Sequence, residues 1–296
     1  MPASRSSGAL MLAIDRSATM TLQQKWQAVQ ISAVQALDSD LFDTTVLGMD
    51  AYPSGFTDIN ACLSDGICTG ETPAECDALL GIPGVACGAT GITVALAASG
   101  SKKSSAATGV RHDIYQYLSA TTPVSSTTDD GSPAYEALAA SVSTLQQTAV
   151  ENRVLIWISD GSPNCASFSA PTRPGYDDGG GCADWEEPST IETLIANAHT
   201  NAAVPIQTFV IGLPGSDSTG AANGSFATAP YHMTLAFSVF AVAGAPDYID
   251  RACDRTAVFT KTGGAPADPC HVDLAGGLFS SAELTSAIDS IGARAL

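Results

Sequence analysis

The sequence predicts an α/β fold: a doubly wound, mainly parallel sheet flanked by helices and interrupted by disulfide-stapled loop insertions. Short apolar or β-branched runs alternate with amphipathic helical patterns, as in strands joined by crossover helices. Runs such as "GALMLAI" and "RVLIWIS" are continuously apolar rather than alternating, which suits strands covered on both faces. The stretches without any period are rich in Gly, Pro and Cys and read as loops.

In chain order, "GALMLAI" is the first strand. "TLQQKWQAVQISAVQAL" then places Trp26, Val29, Ala33, Val34 and Leu37 at helical spacing, and "DTTVLGMD" returns as a strand. Residues 51–90 form an insertion without sustained period. "ITVALA" resumes a strand, "VRHDIYQYLSA" and "SPAYEALAASVSTLQQTA" are helical, and "RVLIWISD" is the most apolar strand of the chain. A second insertion, residues 161–188, precedes the helix "STIETLIANAHTNA", where Ser189 is the expected N-cap and Glu192 completes a capping box. "PIQTFVIGL" is a further buried strand, followed by a third insertion at residues 213–231 and an apolar helix around Phe237. A short strand near "AVFTK", a cysteine loop at residues 253–270 and the helix "SAELTSAIDSIGA" close the chain. There is no internal repeat, and residues 1–296 read as a single domain with insertions.

Composition removes several function classes. Hydrophobic residues at 45% against 14% charged exclude a disordered or coiled-coil chain. A formal net charge of -18 repels a polyanion, so nucleic acid is not an expected partner. The eight cysteines sit in loop-like stretches and point to disulfides made in an oxidising compartment. Sequence order suggests Cys165 with Cys182, Cys253 with Cys270, and two bridges among Cys62, Cys68, Cys76 and Cys87. No CxxC pair occurs, which leaves zinc little support. "MPASRSSGALMLAID" lacks a signal-peptide pattern, so the expected secretion leader is absent from this chain. The apolar run "MTLAFSVFAVAGA" falls short of the roughly 18 residues of a membrane span and reads as a buried helix.

Two strands end in an aspartate, Asp15 and Asp160, at the edge where open parallel sheets bind ligands. After Asp15 come Ser17 and Thr19 at every second position. Such a triplet can cap a helix, or it can aim hard oxygens at Mg2+, Mn2+ or Ca2+. Ser132 opens a helix behind a glycine turn and adds a third hydroxyl.

Enzyme motifs are missing. A phosphoryl-transfer aspartate at the first strand end expects a second aspartate where Ser17 stands. "GLPGSDSTG" lacks the lysine of a phosphate loop, and "GSDSTG" does not satisfy Gly-x-Ser-x-Gly. His271, beside Cys270, reads as a packed or surface residue rather than a base. "YDDGGGC" reads as a solvated loop.

In "DRSAT", "GSPA" and "SDG", taken in that chain order, the sequence resembles the von Willebrand factor A family. The resemblance extends over most of the chain outside the cysteine-bearing insertions, and it implies a metal-ion-dependent adhesion site made of Asp15, Ser17, Thr19, Ser132 and Asp160. Thr19 stands where serine is usual and Ser132 where threonine is usual, and both keep the hydroxyl. Asp129 and Asp130, just ahead of the second loop, are candidate accessory ligands, while Tyr176 and Trp185 on the second insertion are candidate rim contacts to a partner. The implied cofactor is Mg2+, with Mn2+ or Ca2+ as alternatives. The implied function is not enzymatic: an extracellular or envelope-associated module, similar to secreted or lipoprotein-type bacterial relatives, whose ion takes a carboxylate of a protein partner. The alternative is a structural subunit of a surface layer or filament that associates with itself.

Overall fold

A computed structural model describes residues 8–57, 85–89, 91–124, 132–161, 163, 175–176, 185–217, 231–260, 262–276 and 279–296. Its main sheet has six strands, in the order Val272–Asp273, Gln207–Gly212, Asn152–Ser159, Gly8–Asp15, Val46–Tyr52 and Val94–Ala98 across it. The central strand β1, Gly8–Asp15, is buried at every position, which is why its sequence shows no alternation. It pairs in parallel with β2, Val46–Tyr52, on one side and with β6, Asn152–Ser159, on the other. Beyond β6 lie β9, Gln207–Gly212, and the two-residue β10, Val272–Asp273, also parallel. The far edge is β5, Val94–Ala98, which runs antiparallel to β2.

Helices cover both faces because successive β1 side chains point to opposite sides. Leu10, Leu12 and Ile14 pack with Val29 and Ala33 of α1 (Lys25–Leu37), Ile114 and Leu118 of α2 (Val110–Ala120), and Leu284 and Ile288 of α6 (Ser281–Ala295). Ala9, Met11 and Ala13 pack with Leu138 and Val142 of α3 (Ala134–Gln146), Ile191 and Ile195 of α4 (Pro188–His199), and Phe237 and Phe240 of α5 (Met233–Gly244). Trp157 of β6 packs against both of those phenylalanines, with ring centroids 5.2 and 5.6 Å away. Burying each such ring contributes about 1.5–3 kcal/mol.

Two insertions have strand-paired roots. β3, Gly55–Thr57, pairs antiparallel with β4, Val85–Gly88, at the base of the first. In the second, β7, Gly175–Tyr176, pairs with β8, Trp185–Glu186. The buried Glu186 carboxylate accepts the Tyr135 N–H at 2.8 Å, placing an anion at the N-terminus of α3, where the helix dipole favours it. Cys253 and Cys270 form the expected disulfide, with Cα atoms 5.0 Å apart. The other expected pairings fall on side chains outside the described residues. His271 is buried behind that bridge, its Nδ1 3.3 Å from the Ser238 hydroxyl, and burial pulls it down to about 4.

Three local expectations are corrected. The first helix begins at Lys25, not Thr21: residues 18–24 form a 3-10 stretch broken at Leu22 and Gln23. The helix α4 begins two residues early because Pro188, with φ already set for a first helical position, occupies N1; Glu187 is the N-cap and Ser189 donates to its carboxylate at 2.8 Å. The reciprocal capping box is instead at Ser280 and Glu283 of α6. The region near "AVFTK" is not a strand over residues 257–260, since the edge of β9 pairs with Val272–Asp273. Among the described residues no helix is long and apolar enough to cross a membrane.

The two ends of the described chain meet below the sheet. The Leu296 side chain packs over Gly8, where a Cβ would lie 2.6 Å from its Cδ2, and the Leu296 carbonyl accepts from Asn152 at 3.4 Å.

Candidate metal centre

Ile14 is level with Ile158 in the sheet, so Asp15 leaves β1 beside Ser159, with Asp160 one residue further on, at the adjoining carboxyl ends of β1 and β6. Three loops then converge. The Asp15 carboxylate accepts the Ser17 N–H at 2.9 Å, the Ser132 hydroxyl at 3.1 Å and the Ser159 hydroxyl at 2.8 Å. The hydroxyls of Ser17 and Thr19 lie 3.1 Å apart, and Thr19 donates to Asp160 Oδ1, also at 3.1 Å. A continuous network therefore links Ser132, Asp15, Ser17, Thr19 and Asp160. Ser17 is the residue preceding the 3-10 stretch, yet its side chain makes no capping bond there. The alternating hydroxyls serve the carboxylates rather than a helix start.

Asp15 has no exposed surface, and burial, followed by the charge of Asp160, pushes its carboxyl up to about 7 against the donors that pull it down. Two carboxylates with several hydroxyls fit a hard cation, which would relieve this crowding of negative charge. Among the described residues, no group of three or more His, Cys, Asp or Glu side chains gathers in a metal-binding cluster, so such a site relies on its hydroxyls.

Two further residues complete the centre. Ser159 is the hydroxyl that closes β6 directly after the apolar run from Val154 to Ile158. Lys25 is the less expected one: it is 1% exposed, its ammonium forms an ion pair with Asp160 Oδ2, and it donates to the Pro214 carbonyl at 2.9 Å. Its signal was its place four residues before Val29, on the core stripe of α1. The turn that brings Pro214 over the ammonium needs Gly215, with φ +114° and no room for a Cβ, which would lie 2.6 Å from the Asp160 carbonyl oxygen.

The backbones of Tyr176 and Trp185 pair with each other in the insertion that follows Asp160. Asp129 and Asp130 lie outside the described residues.

No protein-family profile and no curated sequence matches the chain. Solved structures do. The von Willebrand factor domain of the type V pili tip protein Mfa5 from Porphyromonas gingivalis is similar at TM-score 0.51 and 10% identity, over 98% of this chain and 95% of that one. The pilus adhesin SpaC of Lactobacillus rhamnosus GG is similar at TM-score 0.54 and 12% identity, over 97% of this chain. A variant of the minor pilin PilB of Streptococcus sanguinis is similar at TM-score 0.50 and 11% identity, over 99% of this chain. This chain spans 30% of the adhesin's length and 62% of the pilin's. The fold is von Willebrand factor A-like.

Proposed function

We propose that this chain is an extracellular protein-binding module that holds a divalent cation in the Asp15 centre and engages a carboxylate of a protein partner through it. The observation that carries the reading is the convergence of Asp15, Ser17, Thr19, Ser132 and Asp160 from three loops into one buried hydrogen-bonded network. These five residues would hold the ion, with Mg2+ foremost and Mn2+ or Ca2+ as alternatives. The bound ion supplies an electrophilic position for an incoming carboxylate. Asp15 contributes the inner negative charge, the hydroxyls contribute neutral oxygens, and Thr19 orients Asp160. A net charge of -18 would slow an acidic partner without that local cation. The pilus adhesin and pilus tip protein that share the fold support an extracellular adhesive setting. We assign the centre no catalytic role.

Calorimetric titration of metal-stripped protein with Mg2+, Mn2+ and Ca2+ tests the reading. Saturable binding is expected, and its loss in Asp160→Ala is expected with it. Absence of saturable binding for all three ions would overturn the proposal.

A second reading is favoured by the Lys25–Asp160 pair: a self-associating structural subunit whose centre is filled by its own side chain. Concentration-dependent assembly in sedimentation, without metal or partner, would select it.

A further inference from the structure

Both oxygens of Asp160 already have partners, Thr19 on Oδ1 and the Lys25 ammonium on Oδ2. The lysine does not reach in from the surface. The chain delivers it from within, since Gln23 and Gln24 take left-handed φ values of 53° and 58° just ahead of it and turn the first residue of α1 beneath the hydroxyl loop. Its nitrogen also lies 3.7 Å from where a Gly215 Cβ would be, so the ammonium packs directly against the glycine turn that carries Pro214. A buried ammonium is tolerated only where a counter-charge and further acceptors surround it, and here Asp160 and the Pro214 carbonyl fill those roles.

We propose that Lys25 is a tethered internal cation that neutralises Asp160 in the metal-free protein and competes with the divalent ion for the centre. The inference rests on the metal reading above. With one carboxylate already matched by an ammonium, an arriving ion meets about one unit less of net negative charge and is repelled by the ammonium at short range. Metal-free protein keeps its loops assembled, and metal binding requires Asp160 to exchange one cation for the other or share both.

The test titrates metal-stripped wild type, Lys25→Met and Lys25→Gln with Mn2+ and Mg2+, and records thermal midpoints with and without ion. The glutamine variant retains an amide donor for Pro214 without the charge, which guards against a methionine variant that fails to fold. Both neutral variants are expected to bind Mn2+ about tenfold or more tightly than wild type. Without ion they are expected to melt lower than wild type, with the midpoint restored by Mn2+. Equal or weaker binding by the variants, alongside saturable wild-type binding, overturns the competition and leaves the metal reading standing. No binding by any of the three proteins overturns both. Binding by the variants alone supports the competition and overturns the reading that the native chain holds the ion.

Discussion

The Ser159 hydroxyl donates to Asp15 Oδ2 at 2.8 Å across the boundary between β6 and β1, and the Gly161 carbonyl lies 3.2 Å from the same hydroxyl. One small side chain thus ties the first-loop carboxylate to the turn that carries Asp160. Ser159→Ala should destabilise the protein by about 1.5–3 kcal/mol at pH 8, where Asp15 is ionised, because a hydrogen bond to a buried charge is lost. At pH 5 the loss should shrink, since burial already favours the protonated carboxyl. Urea denaturation at the two pH values measures both; an equal loss at each would show that Ser159 does not support the charge.

Asp50 offers a cleaner pH signature because it lies outside the centre. It is fully buried on β2, accepts from the Thr93 hydroxyl at 3.4 Å, and its Oδ2 has no partner among the described residues. Burial pushes it up to about 7. The folded state therefore holds this proton more tightly than the unfolded chain, and the stability it contributes is full below about pH 4 and is lost as pH rises through about 7. Asp50→Asn should gain on the order of 3 kcal/mol over wild type at pH 8 and little at pH 4.5. Comparing the two proteins cancels the parallel contribution of Asp15. A gain that did not change with pH would count against the buried carboxylate.

Gly215→Ala should be among the more damaging single changes near the centre. The added Cβ meets the Asp160 carbonyl oxygen at 2.6 Å in a backbone conformation that L side chains avoid. We expect a loss of about 1–3 kcal/mol from the strained φ, with more from the clash. The Pro214 carbonyl should also move away from Lys25, lowering the melting midpoint of metal-free protein. An unchanged midpoint would mean that the turn is not held as described.

Much of the fold was legible because buried parallel strands leave long apolar runs, as in β1 and β6, and because the strand-end aspartates mark the ligand-facing edge. The resemblance of "DRSAT", "GSPA" and "SDG" to the von Willebrand factor A family implied Asp15, Ser17, Thr19, Ser132 and Asp160 as one constellation. What escaped the sequence depends on backbone detail that periodicity does not encode. Lys25 shares the core stripe of α1 with Val29, but periodicity does not reveal which buried acceptors a lysine there would meet, and the left-handed pair before it sets that. Ser159 reads as the last residue of a strand. The start of α4 was misplaced because Pro188 at N1 outweighs the serine and glutamate spacing that mimics a capping box. Strand residues near "AVFTK" carry β propensity, but pairing partners decide, and the free edge of β9 is taken by Val272–Asp273.

The meeting of Gly8 and Leu296 beneath the sheet has a mechanical meaning. Asp15 lies at the opposite end of β1 from Gly8, so the oxygen centre and the paired ends occupy opposite poles. The Leu296 side chain over Gly8 and the Asn152 bond to the Leu296 carbonyl clamp the start of β1 to the end of α6. Loosening that clamp would free one end of the central strand and leave the hydrogen bonds around Asp15, at its other end, intact.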